Sequence, residues 1–293
     1  MAEEILPFGV GRGAVLPAFI GGLPKGAGLT FGNAMRRSTF GSALLGSLAI
    51  AALLTPGAQA TEVVGNADVG DFRITGGGAG KDVVLGIADS RTITVKVTAS
   101  DDSGIKSADF TLFHGSSLSN ADAVLKPSEA AAVCSANGAT SVCTKHYTID
   151  PRRDLKNSLA GIWTVNAEAH ANDGDYVKVD GLTTFFMKRY AKLTANASPE
   201  PVAKGGTITV TGKLARANWD THDYRGYTNQ RAYLEFRRPG IDYYESLGYT
   251  TTNSTGVATA KVTATADRYW RYEFRGTMTT RAVKATGDFV DVR

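Results

Sequence analysis

Thr92-Ile93-Thr94-Val95-Lys96-Val97 alternates without a break, placing Ile93, Val95 and Val97 on one face and Thr92, Thr94 and Lys96 on the other. Successive side chains point to opposite faces of a strand, so a period of two built from β-branched residues predicts a half-buried β-strand. Asp101-Asp102-Ser103-Gly104 follows as a turn, and Ala108 to Phe113 reads as the next strand. Further on, Gly161 to Ala171 is the longest such segment. It sets Trp163, Val165, Ala167 and Ala169 against Thr164, Asn166, Glu168 and His170. Leu182 to Met187 closes the set. From residue 71 onward no window carries an apolar stripe of period 3.6.

A second set of alternating segments begins near Ala191. Leu193 to Ala197 leads into Pro199-Glu200-Pro201, followed by Thr207 to Gly212, Arg231 to Phe236, Val257 to Ala264, Tyr269 to Arg275 and Gly287 to Val292. Thr-Ile-Thr-Val occurs at 92–95 and again at 207–210, a faint internal repeat. Short strands separated by Gly, Asp and Asn turns predict an all-β chain of two tandem β-sandwiches, at 61–190 and 191–293. The first span nets −3 and the second +5. Opposite signs of that kind would favour docking of the two, leave a basic outer face for a polyanion such as a cell-wall polymer, or simply mark solvated surface.

Composition sets the outer limits. A chain of 293 residues that is 43% hydrophobic and 20% charged is neither disordered nor collagen-like. A net charge of +4 with no Lys/Arg run longer than two gives no reason to expect nucleic acid as a partner. There is no G-x-S-x-G, no H-E-x-x-H and no phosphate-binding glycine loop, and the four histidines (His114, His146, His170, His222) lack ligand spacing. No catalytic residue is predicted, and the chain is read as not an enzyme.

Residues 35–60 read as a secretory signal peptide. Met35-Arg36-Arg37 is basic, Ala43 to Leu54 is an apolar run too short to span a bilayer, and Ala58-Gln59-Ala60 forms an A-x-A cleavage site. Phe40 lies one place too far along for a twin-arginine motif, and no Cys follows for lipid attachment. The glycine-rich residues 1–34 precede this complete signal, so the expectation is a misplaced or disordered extension with translation starting at Met35 rather than Met1. The chain is therefore expected to be secreted and released to the extracellular space, with no membrane anchor. In such a chain Cys134 and Cys143 predict a disulfide. Closing a loop of that length is worth roughly 2.7 kcal/mol on the chain-entropy model.

Two acidic loops stand out. Asp101-Asp102-Ser103-Gly104 ends one strand and Asn172-Asp173-Gly174-Asp175 ends the Trp163 strand. If these are strands B and F of an immunoglobulin-like sandwich, the B–C and F–G loops lie at one end, and Asp101, Asp102, Asn172, Asp173 and Asp175 could converge on calcium. The same residues are also those that make turns. In the second span Trp219, Tyr224 and Tyr227 sit beside Asn218, Asp220 and Asp223, a composition that could stack on sugar rings or simply serve a core.

The run Val95-Lys96-Val97-Thr98-Ala99-Ser100-Asp101-Asp102-Ser103-Gly104-Ile105 resembles the bacterial immunoglobulin-like domains of secreted proteins. More fully, the chain resembles a family of small actinobacterial exported proteins with two such domains. The resemblance is carried by Asp150-Pro151-Arg152-Arg153-Asp154-Leu155, Asn172-Asp173-Gly174-Asp175-Tyr176, Ala197-Ser198-Pro199-Glu200-Pro201-Val202, Arg216-Ala217-Asn218-Trp219 and Gly287-Asp288-Phe289-Val290-Asp291-Val292. It implies two immunoglobulin-like β-sandwiches and a calcium-binding or uncharacterised label, with no catalytic residues. The expected function is a non-catalytic extracellular binding protein that takes calcium through its acidic loops. The alternative is a metal-independent module binding a cell-wall polymer or carbohydrate. The expected partner is an unidentified extracellular protein or a cell-wall polymer.

Overall fold

The structure is a computed structural model that describes residues 61–78 and 80–293. The 1–34 extension, the 35–60 signal peptide and the choice between Met1 and Met35 lie outside the described residues. No helix among the described residues is long and apolar enough to cross a membrane.

Ten strands build the first sandwich: β1 (Thr61–Val64), β2 (Asp68–Thr75), β3 (Asp82–Leu85), β4 (Arg91–Ser100), β5 (Ile105–Gly115), β6 (Ala121–Val124), β7 (Val133–Asn137), β8 (Thr140–Ile149), β9 (Gly161–Ala171) and β10 (Tyr176–Arg189). One sheet runs β2-β4-β8-β7 and the other β1-β10-β9-β5-β6, with β3 parallel to the end of β10. In immunoglobulin lettering β2-β4-β8-β7 are A-B-E-D facing β10-β9-β5-β6 as G-F-C-C′, with β3 as the parallel A′ strand and β1 an additional antiparallel strand on β10. Ile93, Val95 and Val97 of β4 meet Trp163 and Val165 of β9 in one core. Each such aliphatic side chain contributes roughly 1.5–3 kcal/mol relative to exposure. The Tyr147 hydroxyl crosses between the sheets and donates to the Phe110 carbonyl at 2.9 Å.

The strand β8 carries no clean apolar alternation, for a physical reason. Its inward positions are Ser141, Cys143, Lys145, Tyr147 and Ile149, and Lys145 is only 3% exposed. That ammonium is neutralised by Asp109 on β5 and lies over the Phe110 ring. Cys134 and Cys143 form the disulfide, as a directly opposed pair in the β7–β8 hairpin.

The second sandwich comprises β11 (Ala191–Leu193), β12 (Asn196–Ser198), β13 (Thr207–Asn218), β14 (Asp223–Gly226), β15 (Arg231–Arg237), β16 (Glu245–Thr251), β17 (Val257–Thr263), β18 (Arg268–Phe274), β19 (Val283–Lys284) and β20 (Asp288–Val290). The long β13 is flanked on one edge by β12 and β11 and on the other by β17 and β14. Facing it is the sheet β16-β15-β18, whose last edge is shared by β19 and β20. A second bridging tyrosine joins these sheets: Tyr272 Oη donates to the Val210 carbonyl at 3.0 Å.

The sequence places β13 at Thr207 to Gly212, but the strand continues to Asn218 and changes phase on the way. Ile208, Val210 and Leu214 enter the core of the second sandwich, whereas Ala217 and Trp219 enter the core of the first. Trp219 is 1% exposed, so the expectation of an exposed sugar-stacking indole is corrected: it is a core residue of the first sandwich, contributed by the chain of the second. Its ring N–H donates to the Gly86 carbonyl at 2.9 Å, and its backbone N–H donates to Asn157 Oδ1 at 3.0 Å. Asn157 follows the one-turn helix α1 (Pro151–Asp154), which Asp150 caps by accepting from the Arg152 N–H. The Asn157 amide donates in turn to Asn218 Oδ1 and Asp220 Oδ2. Among the described residues no ion pair joins 61–190 to 191–293.

Candidate functional site

The B strand β4 and the F strand β9 end at the same edge of the first sandwich, so the B–C loop at 101–104 and the F–G loop at 172–175 meet. The Asn172 backbone N–H donates to the Gly104 carbonyl at 3.0 Å, and its side-chain amide donates to the Ser103 carbonyl at 2.8 Å. Gly104 sits at φ +84°, where a side chain is strained, and a Cβ there would lie 3.1 Å from the Asn172 amide nitrogen. The glycine thus lets the two loops close against each other.

Three carboxylates converge there. Asp101, Asp102 and Asp173 each offer an oxygen, all within 4.8 Å of one another. Asp102 and Asp173 are exposed, whereas Asp101 is only 3% exposed. Its Oδ1 accepts from the Ser103 N–H at 2.8 Å and the Ser103 hydroxyl at 2.6 Å. Its Oδ2 is buried and has no hydrogen-bond partner. No Lys or Arg among the described residues forms an ion pair with any of the three. Two carboxylates at such a separation repel by roughly 1 kcal/mol in water and about 3–4 kcal/mol at the effective dielectric of a protein surface.

The other two expected ligands have different duties. Asp175 lies outside the three-carboxylate cluster: its Oδ2 accepts from the Asn66 N–H at 2.9 Å, and the bare α-carbon of Gly65 makes room for it. Asn172 holds the two loops together through its amide nitrogen. The signal that separates Asp175 from the rest lies across the chain at Gly65-Asn66, which no local motif reveals.

Tyr224 and Tyr227 are half-buried and already covered by cations. Lys192 Nζ lies 3.8 Å from the Tyr224 ring centre, and the Arg216 guanidinium lies 3.7 Å from that of Tyr227. Because Trp219 is buried and both tyrosines are half-buried as well as capped, the three form no open platform for a sugar ring. Arg216 and the buried Arg189 share this junction, and burial together with the charge of Arg216 pushes the Arg189 pKa down to about 10.

No family model and no curated protein matches the chain. Among solved structures it is similar to the D0-D1 domain of Intimin, at 15% identity over 76% of this chain and 98% of that one, with a TM-score of 0.24. It is also similar to three N-terminal domains of the bacteriophage RB49 Highly Immunogenic Outer Capsid protein, at 11% identity over 78% and 70%, with a TM-score of 0.29. A putative membrane anchored protein from Corynebacterium diphtheriae aligns at 13% identity over 80% and 58%, with a TM-score of 0.26. Superpositions this loose carry no functional argument. The immunoglobulin-like assignment rests on the strand order of the first sandwich: A-B-E-D packed on G-F-C-C′, with a parallel A′ strand.

Proposed function

We propose that the protein is a non-catalytic extracellular binding module whose B–C and F–G loops are set by a calcium ion held by Asp101, Asp102 and Asp173. The observation that carries this reading is the buried, unpartnered Oδ2 of Asp101 beside two further carboxylates with which no Lys or Arg among the described residues forms an ion pair. A buried carboxylate oxygen with no donor is costly unless a positive charge faces it. Oxygens within 4.8 Å of one another fit around a single ion at the 2.3–2.6 Å that calcium prefers. Calcium takes six to eight oxygens, so water and further loop oxygens would complete its shell. The ion would supply charge neutralisation and rigidity at the loop end, and no bond-making chemistry is assigned to it. Export to the extracellular space is supported by the signal-like run at 35–60 and by the disulfide, a bond that persists in oxidising compartments.

Titration calorimetry of the full chain tests this. Calcium should give a saturable heat at about one ion per chain that magnesium does not reproduce, and Asp173→Asn should abolish it. A wild-type protein that gives no heat with millimolar calcium defeats the proposal.

A further inference from the structure

The outer face of the β16-β15-β18 sheet carries arginines placed over aromatic rings. Arg275 lies 3.6 Å from the Tyr233 ring centre, Arg231 4.6 Å from Tyr249, Arg271 3.5 Å from Tyr244 and Arg237 3.9 Å from Tyr269. Strand alternation produces the pattern. Leu234 and Phe236 of β15, with Trp270, Tyr272 and Phe274 of β18, fill the core, which turns the intervening Arg and Tyr residues outward. Pairing then sets Tyr249, Tyr233, Glu273 and Lys284 in one row across four strands.

The acids on this face are fewer than the bases. Glu235 pairs with Arg271 at 2.8 Å, and Glu273 is shared between Arg275 at 3.5 Å and Lys284 at 3.2 Å. Arg231 and Arg237 have no carboxylate partner among the described ion pairs. Arg275 and Lys284 remain 56% exposed; the Tyr249 ring is exposed beside Arg231, and the Phe289 ring is exposed further along β18, against Tyr269. A guanidinium stacked on a ring gives up one flat face but keeps its N–H edge, which matches a carboxylate in bidentate fashion. The ring also fixes the side chain beforehand, which lowers the entropy lost on binding.

We propose that this face binds an acidic polysaccharide, a partner distinct from the calcium ion and independent of it. Uronate carboxylates would meet the free edges of Arg231 and Arg275 and the Lys284 ammonium, while the C–H faces of the sugar rings would rest on Tyr249 and Phe289. Charge complementarity selects a polyanion. Exposed rings set among the cations select one that presents apolar ring faces as well as charge, which a run of Asp or Glu residues does not.

The test passes the full chain over immobilised polygalacturonate in chelator, so that no metal can bridge the two, with polyglutamate and neutral dextran in parallel. Retention is expected on polygalacturonate alone. The pair Arg231→Glu and Arg275→Glu should weaken it at least tenfold and Tyr249→Ala several-fold, each with its melting temperature kept. A control pair on the outer face of the opposite sheet, Lys213→Glu and Lys261→Glu, should leave it unchanged. Three results overturn the proposal: no retention at low salt, equal loss in the control pair, or equal retention on polyglutamate, which would mean recognition of acidic peptide or of charge alone.

Discussion

The indole N–H of Trp219, which follows β13 of the second sandwich, donates to the carbonyl of Gly86 in the first at 2.9 Å. One side chain therefore belongs to the core of the neighbour rather than of its own sandwich. Domains joined only by a linker are expected to move relative to each other. A buried tryptophan with both of its N–H groups bonded across the seam instead ties the two sandwiches into one unit.

Removing that anchor should be costly. Trp219→Ala is expected to destabilise the chain by about 3–5 kcal/mol, the usual range for a buried aromatic. Asn157→Ala, which strips the Trp219 N–H of its acceptor, should cost about 1–3 kcal/mol. Urea unfolding followed by fluorescence measures both, and the transition of Trp219→Ala should separate into two. An unchanged midpoint for Trp219→Ala would show that the junction is not cemented there.

Lys145 and Asp109 should respond asymmetrically. Lys145→Met keeps the volume and removes the buried ammonium, so it should be neutral or stabilising. Asp109→Ala leaves that ammonium buried without its carboxylate and should cost on the order of 3 kcal/mol. Thermal melts of the two variants at neutral pH give the comparison. Equal losses would mean that the ion pair itself holds β5 to β8.

Stability should fall on the alkaline side. Burial pushes the Tyr272 pKa up to about 12, and Tyr147 is raised as well, by burial and then by the charges of Asp109 and Glu129. A phenol whose folded pKa exceeds its unfolded value of about 10 contributes fully below pH 10 and loses that contribution as pH rises toward 12. Arg189, depressed to about 10, opposes part of this slope, because there the unfolded chain holds its proton to higher pH. Tyr272→Phe should cost about 1 kcal/mol at pH 7, where the Val210 carbonyl loses its donor. Between pH 9 and 11.5 its melting temperature should fall less steeply than that of the wild type. Parallel curves would remove Tyr272 from the alkaline limb.

Particular residues show why some of this fold was legible in sequence and some was not. The β4 and β9 strands announce themselves because each buries one face only, so Ile93-Val95-Val97 and Trp163-Val165-Ala167 stand out against polar neighbours. That same reading brings the B–C and F–G loops together and so reaches Asp101, Asp102 and Asp173. Lys145 hides β8 by putting a charge at a core position. The edge strand β16 is exposed almost throughout and has no pattern to show. Trp219 misleads because its surroundings, Asn218 and Asp220, are polar in sequence, while its true partners, Asn157 and Gly86, lie more than sixty residues away. The break in phase between Leu214 and Ala217 is the one local sign that β13 changes hosts.

The central claim is tested most directly by thermal melts of the chain in excess calcium, in magnesium and in chelator, for wild type and Asp101→Asn. Ligand bound only by the folded state raises its stability by mass action. The account predicts a rise of several degrees specific to calcium in the wild type. In Asp101→Asn the rise should vanish, while the melt in chelator should equal or exceed that of the wild type, because a buried charge beside two like charges is gone. Superimposable wild-type melts in calcium and chelator would contradict it, and would leave Asp101-Asp102-Ser103-Gly104 as a turn without a metal.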